Sequence, residues 1–215
     1  DGRTLGDGVR VAKISSGSER ETIRAPFYRQ QEFVAEYNWL RLKMAGDYGL
    51  EFRAYDDGVA YRFFTLLQDS VTVSCEVAEF NFTRDYPLTI PYADRRPDIF
   101  ESSFESQYTR ERVGDGRDGM DRLAFFPVLA DLGTRGRLLL TEADVEDYPG
   151  MFVTRSLTGL GLKGVFPPLP VETRITGSGS RRPVRYGAAI ARTQGRRTFP
   201  WRVIGYAPDD TLLPV

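Results

Sequence analysis

Apolar and polar residues alternate in short runs along most of this chain, and helical periodicity is scarce. Trp39-Leu40-Arg41-Leu42-Lys43-Met44 alternates until Ala45-Gly46-Asp47-Tyr48-Gly49 interrupts it. Leu50-Glu51-Phe52-Arg53-Ala54-Tyr55 alternates again, and Val59-Ala60-Tyr61-Arg62-Phe63-Phe64 returns after Asp56-Asp57-Gly58. A period of two turns one face of each run toward a core, and Asp-Gly between two such runs is a strong hairpin signal. Residues 39–64 are therefore predicted to form a three-stranded antiparallel meander. Downstream, residues 71–77, 78–82, 103–110, 123–129, 137–140, 151–157, 187–193 and 201–207 read as further strands. Residues 83–98 carry Pro87, Pro91 and Pro97 and read as a long loop, and residues 114–119 as a glycine-rich turn. Phe166-Pro167-Pro168-Leu169-Pro170 reads as a rigid extended stretch. Many short strands separated by turn signals predict an all-β sandwich or barrel. No fixed-period repeat, low-complexity tract or internal linker interrupts the 215 residues, so a single domain over 1–215 is expected.

Composition narrows the chemistry. The 29 Lys plus Arg balance 30 Asp plus Glu, for a formal net charge of -1. Nucleic-acid binding needs a basic surface that displaces counterions from phosphates, so no nucleic-acid partner is expected. The same balance argues against a membrane surface, and no apolar run approaches the roughly 20 residues that a spanning helix needs. The chain starts at Asp1 with no signal peptide, as expected of a processed or shortened chain. There is no histidine, which excludes a Ser-His-Asp triad, a Cys-His dyad and any His-containing zinc site within this chain. The single cysteine, Cys75, lies in a strand-like run and is expected to be a small buried hydrophobe. A metal held by these residues would need oxygen ligands, which points to calcium or magnesium.

Three clusters carry candidate chemistry. Glu142, Asp144, Glu146 and Asp147 follow the apolar run Leu138-Leu139-Leu140 and precede the turn Tyr148-Pro149-Gly150-Met151. Four carboxylates at a strand end form a candidate hard-cation site, although the spacing is not that of an EF-hand; a solvated, charge-rich strand end is the plainer alternative. Glu101 and Glu105 stand four residues apart, which on a strand would put both on one face as an acid–base pair; the plainer alternative is surface polarity. Arg196-Arg197-Thr198-Phe199-Pro200-Trp201-Arg202 interleaves arginines with aromatics. Such interleaving can bind nucleic acid or sugars; with so little net charge, the expectation is instead that the arginines pair with carboxylates while Phe199 and Trp201 pack inside. The glycines of Gly159-Leu160-Gly161-Leu162-Lys163-Gly164 lack phosphate-loop spacing and are followed by prolines, not a helix.

An ordered set of segments carries a family resemblance. Tyr55-Asp56-Asp57-Gly58-Val59-Ala60-Tyr61-Arg62-Phe63 comes first, then Ala78-Glu79-Phe80-Asn81-Phe82 and Glu101-Ser102-Ser103-Phe104-Glu105. Thr141-Glu142-Ala143-Asp144-Val145, Asp147-Tyr148-Pro149-Gly150-Met151 and Arg197-Thr198-Phe199-Pro200-Trp201-Arg202 follow. From about Asn38 to Leu213 the chain resembles the N-terminal domain of glycoside hydrolase family 97. The resemblance implies a β-super-sandwich of antiparallel sheets, similar to galactose mutarotase. It implies a following catalytic (β/α)8 barrel as partner, a calcium ion as cofactor, oligosaccharide or α-glycoside substrates and a periplasmic location. The family includes inverting α-glucosidases and retaining α-galactosidases. Its catalytic carboxylates lie on the barrel, so none is expected here. The N-terminal domain lends a glutamate to the calcium, and the matching position is Glu142. The family's first strands find no match before Glu32, which suggests a domain trimmed at its start.

Two other readings belong to different classes. A free-standing carbohydrate-binding module would stack sugar rings on Tyr86, Tyr92 or Tyr108. A self-sufficient epimerase of the mutarotase type would need histidines that this chain lacks.

Overall fold

The computed structural model describes residues 2–27, 29–93, 99–101, 104–115, 122–156 and 159–213. The alternating stretch forms the predicted meander: β2 (Glu32–Met44), β3 (Tyr48–Tyr55) and β4 (Gly58–Leu66) pair antiparallel in sequence order. Gly49 is required where β2, β3 and β4 lie closest. A Cβ there would collide with the Leu42 carbonyl oxygen and the Phe64 ring.

A strand that the hydrophobic pattern does not announce precedes them. β1 (Val11–Arg24) pairs with the whole length of β2, from Val11 opposite Met44 to Arg24 opposite Glu32. Its side chains are almost all exposed, so it is held by its backbone ladder and by surface pairs such as Ser18–Asn38 and Arg20–Glu36, not by burial. A strand thus lies before Glu32, where the sequence offers no match: an unburied strand carries no apolar period to read.

The large antiparallel sheet runs on from β4 through β17 (Trp201–Ala207), β10 (Arg137–Ala143), β9 (Val128–Asp131), β7 (Pro87–Pro91) and β8 (Tyr108–Arg112). β16 (Arg196–Thr198) pairs with the end of β4. Two small sheets cover one face. The first is β11 (Phe152–Arg155), β12 (Gly161–Val165) and β6 (Glu79–Asn81). The second is β15 (Ala191–Thr193) with β5 (Val71–Val73). A hairpin of β13 (Pro170–Ile175) and β14 (Arg181–Tyr186) completes the strands, and its residues are largely exposed. No α-helix occurs among the described residues. The all-β class and the sandwich of antiparallel sheets are as predicted.

The main core lies between the large sheet and the first small one. Leu88, Ile90, Val128, Ala130 and Leu140 meet Phe80, Val153 and Leu162 there. A second cluster, Tyr148, Ile190, Ala191 and Phe199, packs with Phe63 and Val73 under the second small sheet. Phe166 touches both.

Several boundaries differ from expectation for identifiable reasons. The expected loop 83–98 contains β7, whose prolines sit at its two ends while Leu88 and Ile90 point into the core; residues 94–98 lie outside the described set. The expected strand 103–110 begins only at Tyr108. In the expected strand 123–129, Pro127 has no N–H to donate, and regular pairing starts at Val128. Cys75 lies past the end of β5 and is exposed, not buried. The turn at 114–119 is described only through Asp115.

Removing packed volume from the inter-sheet core should be costly, and removing it from the exposed ribbon should not. Leu162 is fully buried and Ile23 is 47% exposed. Leu162→Ala should therefore lower the unfolding free energy by about 2–5 kcal/mol in a urea titration. Ile23→Ala should stay within about 0.5 kcal/mol of the parent.

Candidate functional site

β10 alternates as a strand must. Leu138, Leu140 and Glu142 share one face, and the first two pack in the main core. Glu142 is thereby turned inward, between the sheets. Register pairs it directly with Arg202 of β17, and cross-strand partners on one face are close enough to bond. Arg202 is 1% exposed, the largest fully buried side chain among those described. Its Nη1 donates to Glu142 Oε2 at 2.7 Å. Its Nε and Nη2 both donate to Glu76 Oε1, at 3.0 and 2.7 Å. Glu76 lies on the connection from β5 to β6.

The chain after the acidic run closes the cluster. The Met151 N–H donates to both oxygens of Glu142, at 2.9 and 3.1 Å. The Tyr148 ring packs edge-on against Phe199, with 5.2 Å between centroids. The Arg202 guanidinium lies over the Phe166 ring, 5.2 Å from its centroid. Burial pushes the Glu142 carboxyl above its ordinary range; the Met151 N–H and Arg202 pull it down, and Glu76 adds to the rise. Burial, and then Glu76, push the Tyr148 hydroxyl upward. A carboxylate has about four lone-pair sites. Among the described residues, Glu142 Oε1 accepts from the Met151 N–H, whereas Oε2 accepts from both Met151 and Arg202.

The other three carboxylates of the predicted cluster do not converge with Glu142. Asp144 takes a left-handed backbone (φ 62° is seen at Asp47, 61° here) and pairs with Arg62 at 3.4 Å. Asp147 pairs with Arg197 at 2.8 Å, and Glu146 is exposed. With Gln194, Arg197 and Thr198, these three carboxylates line a polar hollow of about 230 Å³. No three metal-binding side chains come together among the described residues. The donor set therefore fits one or two oxygen ligands from Glu142, not a complete cage of roughly 6–8.

The arginine–aromatic segment behaves as expected: Arg197 and Arg202 pair with carboxylates, and Phe199 and Trp201 are buried. Trp201 faces away from Glu142, with Arg62 and Arg53 stacked on it at 4.2 and 4.8 Å. On that side, Trp201, Val59, Leu139, Val203, Arg53 and Tyr55 line a groove of about 510 Å³. Glu101 ends a 3-10 turn (Ile99–Glu101), and Glu105 is exposed in irregular chain before β8. Strand spacing thus does not relate them, and Ser102 and Ser103 lie outside the described residues. Tyr92 is buried, with its hydroxyl on Glu111 at 2.9 Å and Arg122 over its ring at 3.5 Å. Tyr86 is half-buried and bonded by Arg135. Of the three tyrosines considered for sugar stacking, only Tyr108 is exposed. The residues of the expected phosphate-loop look-alike run into β12, as their spacing suggested.

Glu76 is the residue that sequence reasoning missed. It is 126 positions from Arg202, in a run read only as strand, and no local spacing marks it.

Among the described residues, the antiparallel β-sandwich turns one arginine-clamped glutamate inward at the end of β10. The chain belongs to the family of glycosyl-hydrolase 97 N-terminal domains, which it matches over residues 2–214. It is 32% identical over 210 residues to a retaining α-galactosidase of Bacteroides thetaiotaomicron, covering 94% of this chain and 31% of that protein. Among solved structures, a glycoside hydrolase family 97 enzyme from Pseudoalteromonas sp. in complex with acarbose shares the fold at TM-score 0.69 and 19% identity, over 94% of this chain and 28% of that one. A β-arabinopyranosidase shares it at TM-score 0.74 and 21% identity, over 94% and 32%. The chain thus spans about a third of the length of these relatives.

Removing one partner of a buried ion pair leaves the others uncompensated. Arg202→Met should cost about 3–5 kcal/mol of unfolding free energy. Arg110→Met, which loses an exposed pair with Asp131, should cost under about 1 kcal/mol. Chemical unfolding of the two variants side by side checks the contrast.

Proposed function

We propose that this chain serves as the non-catalytic N-terminal domain of a longer, calcium-dependent glycoside hydrolase, where it packs on a catalytic (β/α)8 barrel and supplies Glu142 to the calcium ion. The observation that carries the reading is the state of Glu142. It is held at a strand end, with Arg202 on Oε2 and the Met151 N–H as the partner of Oε1 among the described residues, so that Oε1 is the less engaged oxygen. Family membership and the one-third span support a barrel as the missing partner. The barrel would supply the remaining ligands and both catalytic carboxylates, whose separation sets inversion or retention. Calcium bound there would polarise or orient the substrate. The role of this chain is to hold one ligand oxygen in place and to form a wall of the pocket. The substrate class is an α-glycoside or oligosaccharide, with an α-galactoside favoured by the retaining α-galactosidase relative. A periplasmic location goes with this reading.

Calcium titration by calorimetry on the full-length protein and on its Glu142→Ala variant tests it. The variant should bind calcium at least about tenfold more weakly and lose activity in step. Unchanged affinity and kinetics would refute the assignment of Glu142.

A further inference from the structure

We infer that Glu76 is the residue that keeps the buried Arg202–Glu142 cluster net negative toward a cation, an inference that rests on the calcium reading above. Three charged groups meet between the sheets: Arg202, Glu76 and Glu142. Their formal sum is one negative charge. The guanidinium is not shared evenly. Two of its N–H groups go to Glu76 Oε1, at 3.0 and 2.7 Å, and one goes to Glu142 Oε2, at 2.7 Å. Glu76 and Glu142 side chains are 8% and 13% exposed, and that of Arg202 is 1% exposed.

Charges so withdrawn from water are weakly screened, and their balance is felt at short range. Without Glu76, Arg202 and Glu142 would form a neutral pair. A dication approaching Oε1 would then meet a carboxylate already neutralised by its own clamp. With Glu76 present, Arg202 is neutralised from the side away from Glu142. Arg202 then orients Glu142 without cancelling it. Arg202 is thus the positioning residue, and Glu76 sets the charge.

The test uses the full-length protein and calcium alone, with affinity read by calorimetry and folding by thermal melting. Glu76→Gln preserves shape and leaves Arg202 an acceptor. It should weaken calcium binding at least about tenfold, and Glu76→Asp should restore most of the loss. A lower melting temperature with unchanged calcium affinity in Glu76→Gln would mean a purely structural role and overturn the inference. If Glu76→Gln does not fold, Glu76→Asp decides, since it keeps the charge and Arg202 in place: a loss of calcium affinity of about tenfold in folded Glu76→Asp overturns it. Glu142→Ala separates the two levels. Unchanged affinity in that variant sinks the calcium reading itself, whereas weakened affinity there beside normal affinity in Glu76→Gln sinks only the role of Glu76.

Discussion

A buried guanidinium between two carboxylates organises the centre of this domain. Arg202 has almost no contact with water, and a lone charge in that position would be prohibitively costly. Its partners come from three distant parts of the chain: Glu142 at the end of β10, Glu76 on the β5–β6 connection and the Phe166 ring beyond β12. Each is thereby tied to one point. The cluster also constrains register. A slip of one residue between β10 and β17 would turn Arg202 to the opposite face and strand Glu142 and Glu76 without a counterion.

The same alternation divides the large sheet into two chemical surfaces. Toward the small sheets it presents Leu138, Leu140 and Ile204, with the ion cluster at the edge of that core. Toward the other side it presents Trp201, with Arg53 and Arg62 stacked on the indole and Arg53 also over Tyr37. Cations over aromatic faces suit a half-wet surface, because the charge keeps part of its hydration while the ring is covered. At the end of β10 the two surfaces meet. Glu142 goes inward, and two residues later Asp144 reaches Arg62 from a left-handed backbone. An acidic run thus becomes separate ion pairs instead of a cage.

Much of the architecture was legible because burial leaves a period. The meander from Trp39 to Phe64 alternates and is flanked by turn residues, so it could be read directly. The strand at the C-terminal end and the inward packing of Phe199 and Trp201 were legible for the same reason. Strands without that signature escaped. β1 buries almost nothing. β7 has three residues between prolines that read as loop. Cys75 looked like part of a strand, but the strand ends at Val73.

The candidate site divides along the same line. Sequence by itself determined the β class, the exclusion of histidine chemistry and the family, because composition, alternation and short motifs are local properties. It also determined that the arginines near Trp201 would seek carboxylates, since a chain so evenly charged has acids to spare. Only the tertiary structure decided which acids. Ion pairing across 60 and 126 positions depends on strand register and on how two sheets face each other, and neither leaves a mark in residue spacing. For that reason Glu76 was invisible in the sequence, and the four carboxylates after Leu140 looked like one site until the fold sent them in different directions.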